Sequence, residues 1–165
     1  MINKYIRNYK MKKMLKSIVK NLKKTKYHVT SALAWRDIRG IGFKEKYIII
    51  NQLKNIISFY EESLNEKYYN EIFSYEELYV ANHDSKLMLE CAFYVDNRTG
   101  ALSSRTWEYL YDMITIGRSK EESIKKYNEL QEVKKKKKDN KTSEHTAKAF
   151  IILIIAIVFA KLFIR

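Results

Sequence analysis

The chain has 165 residues, 32 of them Lys or Arg and 19 Asp or Glu, for a formal charge of +13. Apolar residues make up 46 % and aromatics 13 %, which excludes a wholly disordered chain, because such chains lack the apolar surface to offset the entropy of ordering. A single cysteine excludes a disulfide framework, and one thiol with three scattered histidines cannot close a four-ligand zinc site.

No proline and only four glycines occur, so few residues break a helix and long helices are the default. Lys, Ile, Tyr and Asn are all encoded by AT-rich codons and are heavily used, which points to an AT-rich genome. Part of the lysine content is then codon drift on a solvated surface. Charge is nevertheless divided along the chain. Residues 1–36 hold eleven basic side chains and no acid, residues 37–115 hold eight against thirteen, and residues 116–148 hold eleven against six. Basic ends around an acidic middle fit contact with a polyanion, either nucleic acid or an anionic membrane surface.

The first predicted element is a basic amphipathic helix. Met11, Met14, Leu15, Ile18, Val19 and Leu22 recur at helical spacing, within roughly one third of the circumference. Lys12, Lys13, Lys16, Lys20, Lys23 and Lys24 fall opposite them. Ile2, Tyr5, Ile6 and Tyr9 form a second stripe, displaced by nearly half a turn, which predicts a break or bend near Tyr9–Met11. Three readings stand open for this helix. It is a bundle helix with solvated lysines, a membrane-surface helix gaining about 1 kcal/mol per Lys near an anionic leaflet, or a nucleic-acid contact. A targeting segment fits less well, being usually Arg- and Ser-rich.

The middle reads as helices. Thr30 or Ser31 is a candidate cap for a short helix through Ile38, ended by Arg39-Gly40-Ile41-Gly42. A helix from Phe43 to about Leu64 follows, with Ile49, Ile50, Leu53, Ile56, Ile57, Tyr60 and Leu64 on one face, the strongest core stripe in the chain. Another begins near Asn65–Tyr69 and runs through Leu78 and Tyr79, interrupted at Ser74. Asp84 or Ser85 is the expected cap of the next, through Leu87 to Val95, and Asp96 to Gly100 reads as a loop. Ser103 or Ser104 is the expected cap of a helix carrying Trp107, Leu110, Tyr111 and Ile114. After Gly117, Ser119-Lys120-Glu121-Glu122 opens a polar helix that decays into Lys134–Lys138.

The C-terminal segment is the most distinctive. Ala149 to Ala160 contains no polar residue, and Leu162, Phe163 and Ile164 continue the run. Sixteen helical positions reach roughly 24 Å, short of a hydrocarbon core of about 30 Å. Lys148, Lys161 and Arg165 can carry their charges to the two interfaces on their methylene stems. The excess of lysines before the span predicts that its N-terminal side is cytoplasmic. With no apolar leader near Met1, the sequons at Asn97 and Asn140 are expected to stay unglycosylated.

No catalytic constellation stands out. His28, His83 and His145 lie far apart, and His83-Asp84 reads as a loop boundary rather than a base with its orienter. Cys91 lies in an apolar run and reads as a buried thiol. Neither a cofactor nor a metal is implied, and an enzyme is not expected. Most tyrosines fall in the acidic middle, where a core or a partner groove suits them better than base stacking.

The expectation is an all-α protein: a compact helical bundle of about five or six helices followed by a single C-terminal transmembrane helix. Its parts are a basic segment 1–26, a helical bundle 27–133, a Lys-rich polar linker 134–147 and an anchor 148–165. Function is expected to be that of a tail-anchored adaptor or regulator whose cytosolic domain binds a protein partner. Lys12, Lys13, Lys16, Lys20, Lys23, Lys24, Lys134, Lys135, Lys136, Lys137 and Lys138 are the candidate contacts to a membrane surface or polyanion. A membrane tether for nucleic acid, using the same lysines, is the alternative. The layout of a small helical domain with a short basic-flanked tail resembles that of Bcl-2-type regulators, viral ones included. The resemblance is of layout, since the Asn-Trp-Gly-Arg signature of their groove is missing.

Overall fold

A computed structural model describes residues 2–32, 43–65, 72–98 and 101–163, with side chains described over 4–32, 45–65, 72–98 and 104–142. Among the described residues there are five helices: α1 (Ile2–Ser31), α2 (Phe43–Asn65), α3 (Tyr75–Asn97), α4 (Ala101–Thr115) and α5 (Lys120–Phe163). The chain divides into two compact units, Met1–Ile124 and Lys125–Arg165.

In the first unit α1 is the organising element, packed along α3 and, less extensively, on α2. Its stripe Met11, Leu15, Ile18, Leu22 and Val29 is buried together with Ile49, Leu53 and Ile57 of α2, Leu78, Ala92 and Val95 of α3, and Trp107, Leu110 and Ile114 of α4. Leu15, Ile49, Leu53, Leu78 and Leu110 are completely shielded from water. Each such side chain stabilises the fold by about 1.5–3 kcal/mol relative to exposure. The α2 stripe is the one the sequence announced.

No break interrupts α1 near Tyr9–Met11: the helix is continuous over 30 residues. No glycine or proline interrupts its hydrogen-bond ladder. The second stripe did not require a bend, because it never enters the core: Tyr5 and Tyr9 are exposed. Thr30 and Ser31 close α1 rather than open a new helix, with Thr30 Oγ1 donating back to the Lys26 carbonyl at 2.7 Å. The short helix expected through Ile38, its glycine turn and the segment around Asn70 lie outside the described residues.

Helix α3 corrects two expectations. Ser74 is its N-cap: the hydroxyl accepts from the Glu77 N–H at 3.1 Å, and the Glu77 carboxylate accepts from the Ser74 N–H at 2.7 Å. This reciprocal capping satisfies two donors that a helix start leaves orphaned. Asp84 and Ser85 cap nothing. They lie buried in the interior of one unbroken helix, where tertiary partners take up their polar atoms. His83 therefore sits within a helix, not at a loop boundary.

Helix α4 begins at Ala101, ahead of the expected serine caps. Between α4 and α5, Gly117 adopts a left-handed φ of 68°, and Ser119 with Glu122 repeats the capping box at 2.8 and 3.2 Å. In the second unit the residues read as a linker, 134–147, are helical as part of α5. Among the described residues no helix is long and apolar enough to cross a membrane. The apolar run 149–164 lies outside the residues whose side chains are described.

Gly117 offers a direct check on the α4–α5 junction. A Cβ built there meets nothing within 4 Å, so Gly117→Ala carries only the backbone cost of a left-handed conformation, about 1 kcal/mol. The urea midpoint should fall accordingly, and Gly117→Asn should recover part of the loss.

Candidate functional site

Between the middle of α1, the C-terminal half of α2, α3, the end of α4 and the start of α5, a cleft of about 360 Å³ opens within the first unit. Ile18 and Leu22 form its floor, and Ile56, Phe59, Tyr60 and Phe73 one wall. Val80, Ala81 and Met88 of α3, with Met113 and Ile114 of α4, form the other. In the aromatic wall Tyr60 and Phe73 stack with centroids 5.6 Å apart, and Phe59 packs edge-on against both. Two methionines opposite give an adaptable surface. The volume lies in the range of ordinary ligand and peptide pockets.

One end of the cleft is polar. Asp84 accepts from Arg118 Nε at 2.7 Å through one carboxylate oxygen and lies 3.3 Å from His83 Nδ1 through the other. The Asp84 side chain is 12 % exposed and that of Arg118 32 %, so the pair is largely desolvated. The hydrogen bond to Asp84 raises the already high Arg118 pKa. Beside them Ser85 accepts from Asn21 Nδ2 at 3.1 Å and donates to the Asn82 carbonyl at 2.9 Å. Tyr60 is pushed up to about 12, first by burial and then by the carboxylates of Asp84 and Glu77. A neutral phenol, a buried carboxylate and a guanidinium thus meet at the end of an apolar trough. Such a surface suits an amphipathic segment with one polar anchor.

The six lysines of α1 named from sequence are all exposed, on the side opposite the buried stripe. Lys23 pairs with Glu61 of α2. The apolar stripe that a membrane-surface helix would insert is occupied by the core instead. Lys134 to Lys138 are exposed on α5, and five consecutive residues at about 100° each encircle a helix rather than share a face.

A polar cluster that the sequence did not announce joins the far ends of α1 and α3. His28 Nδ1 lies 2.8 Å from Asp96 Oδ2, and Ser31 Oγ donates to the same oxygen at 3.1 Å. Acyl-transfer chemistry needs the hydroxyl on the imidazole. Here both groups point to the carboxylate, so the cluster is a clamp. Cys91, half-buried against the core, has its thiol pKa raised by burial and by Glu90, which keeps it protonated. Among the described residues no three His, Cys, Asp or Glu side chains gather in a way that could hold a metal.

The polar end generates two expectations. Arg118→Ala leaves Asp84 buried without its cation and should cost about 2–3 kcal/mol in urea denaturation. Adding Asp84→Asn should return much of that loss. The second concerns alkaline pH. A tyrosine whose folded pKa is about 12 contributes stability that is fully present below the unfolded value near 10 and is lost as pH rises toward 12. Tyr60→Phe should therefore flatten the stability decline over that window by roughly 2–3 kcal/mol, and remove the last-titrating tyrosinate from the absorbance curve.

Compared with family models, curated proteins and solved structures, the chain matches none.

Proposed function

We propose that the protein is a non-enzymatic adaptor or regulator held at a membrane by its apolar C-terminal segment, with a helical domain that binds a partner protein. The observation that carries this reading is the run Ala149 to Ala160, twelve positions without a polar side chain, bracketed by Lys148, Lys161 and Arg165. A helix there satisfies its own backbone polar groups, which hydrocarbon requires, and the flanking cations reach the headgroups. The lysines preceding the span support a cytoplasmic placement of the domain. The cleft bounded by Phe59, Phe73, Met88 and Met113 supplies the kind of apolar groove into which an amphipathic helix lays its face.

The anchor is tested by deleting residues 149–165. The full chain should stay with membranes through alkaline carbonate extraction, and the truncated chain should move to the soluble fraction. Carbonate-resistant retention of the truncated chain would overturn the single-span reading. Retention that salt removes would instead reveal a peripheral contact.

A further inference from the structure

We propose that the outward face of α1 rests on an anionic lipid leaflet through Tyr5, Tyr9, Lys12, Lys16, Lys20 and Lys24. The proposal rests on the membrane reading above and adds a second, peripheral contact to it. Its starting point is the continuity of α1. Because the helix is unbroken, residues 5, 9, 12, 16, 20 and 24 fall, at about 100° per residue, within one third of the circumference. Met11, Leu15, Ile18 and Leu22 occupy the opposite side and are buried in the core. The stripe that the sequence displaces by half a turn is thus an aromatic extension of the lysine face.

That face has the composition of an interfacial surface. Tyr5 is 80 % exposed, Tyr9 66 % and Ile6 44 %. Large apolar groups left in water beside cations fit the headgroup layer, where a tyrosine ring lies among glycerol and ester groups with its hydroxyl toward water. Lys12, Lys16, Lys20 and Lys24 are all exposed on this face and α1 contains no acidic residue, so the face is complementary to phosphatidylserine or phosphoinositide headgroups. The contact is adsorption, with no helix buried, since the inserting stripe is already committed to the protein core.

Lipid fits better than nucleic acid because of where the rings lie. Base-stacking surfaces interleave aromatic side chains with cations along the track. From Lys10 to Lys26 this face holds no aromatic residue at all; Tyr5 and Tyr9 precede the run and Tyr27 follows it.

The test uses the full chain with Cys91→Ser and Tyr5→Cys, the new thiol carrying a polarity-sensitive fluorophore. The chain is mixed with vesicles of phosphatidylcholine alone, or of phosphatidylcholine with phosphatidylserine, each containing a spin-labelled quencher lipid. The expected result is quenching with phosphatidylserine, none with phosphatidylcholine, and loss of quenching in high salt. Lys12→Glu, Lys16→Glu and Lys20→Glu together should reduce it to the neutral-vesicle level. These lysines are exposed, and the salt arm uses unaltered lysines, so the result does not depend on how the triple variant folds. Equal signals on the two vesicles, or a response to oligouridylate in place of phosphatidylserine, overturns the proposal. Flotation in the same samples separates it from the anchor. A chain that fails to float with neutral vesicles refutes the span alone, whereas one that floats with both but is quenched by neither refutes only the α1 contact.

Discussion

Burial of a single stripe on α1 is the constraint from which the other contacts follow. Leu15, Ile18 and Leu22 are at most 2 % exposed, and they can be so only if α2 and α3 both lie against the same third of the helix. The two neighbours then run in opposite senses. Arg7 meets Glu76, Asn21 meets Ser85 and His28 meets Asp96, so α3 is parallel to α1. Lys46 at the start of α2 reaches the Thr30 carbonyl while Glu61 near its end pairs with Lys23, so α2 is antiparallel. Once that stripe is shielded, Arg7 and Lys23 find carboxylates on the neighbouring helices, and Lys12, Lys16, Lys20 and Lys24 are left on the exposed side of a helix that has no acid of its own. The fold and the charged surface are two sides of one helix.

The same packing explains the cleft. Ile18 and Leu22 belong to the core stripe and also to the cleft floor, where Phe59, Tyr60 and Phe73 pack on one another instead of filling the space above them. Methionines close the opposite side without sealing it. Asp84 can sit there only because Arg118 is delivered to it by the left-handed turn at Gly117. A buried carboxylate with one good cationic partner is tolerated rather than strongly stabilising, and such groups commonly mark a surface with a use.

Much of the architecture was legible in the sequence, and the failures have physical causes. Helix α2 was readable because seven apolar residues hold one face over three turns and more. The α1 core stripe was readable for the same reason, but its role was not, since an amphipathic helix presents the same pattern to a membrane and to a bundle. Asp84-Ser85 misled because the residue types that cap helices by local hydrogen bonds are the types that make buried tertiary ones. Ser74, by contrast, carries a Ser-x-x-Glu signature, and the interruption expected there is the start of α3. The cleft had no sequence signal, because its walls come from every helix of the unit. The charge face was visible as lysines, but not as lysines with Tyr5 and Tyr9, because that required knowing that α1 runs unbroken through Tyr9–Met11.

The three polar contacts between α1 and α3 are unevenly spaced. From Arg7 to Asn21 to His28 the steps on α1 are fourteen and seven residues, whereas from Glu76 to Ser85 to Asp96 the steps on α3 are nine and eleven. The totals nearly agree while the divisions do not, in the manner of a vernier scale. A stripe of Met, Leu, Ile and Val would accept a slide of one heptad along α3 with modest loss of burial. The vernier would not, since any slide that rejoined one pair would separate the others and take from Asn21 or Asp96 the partner on the facing helix. Apolar burial holds these helices together, and the mismatched polar steps choose the one alignment in which they stop.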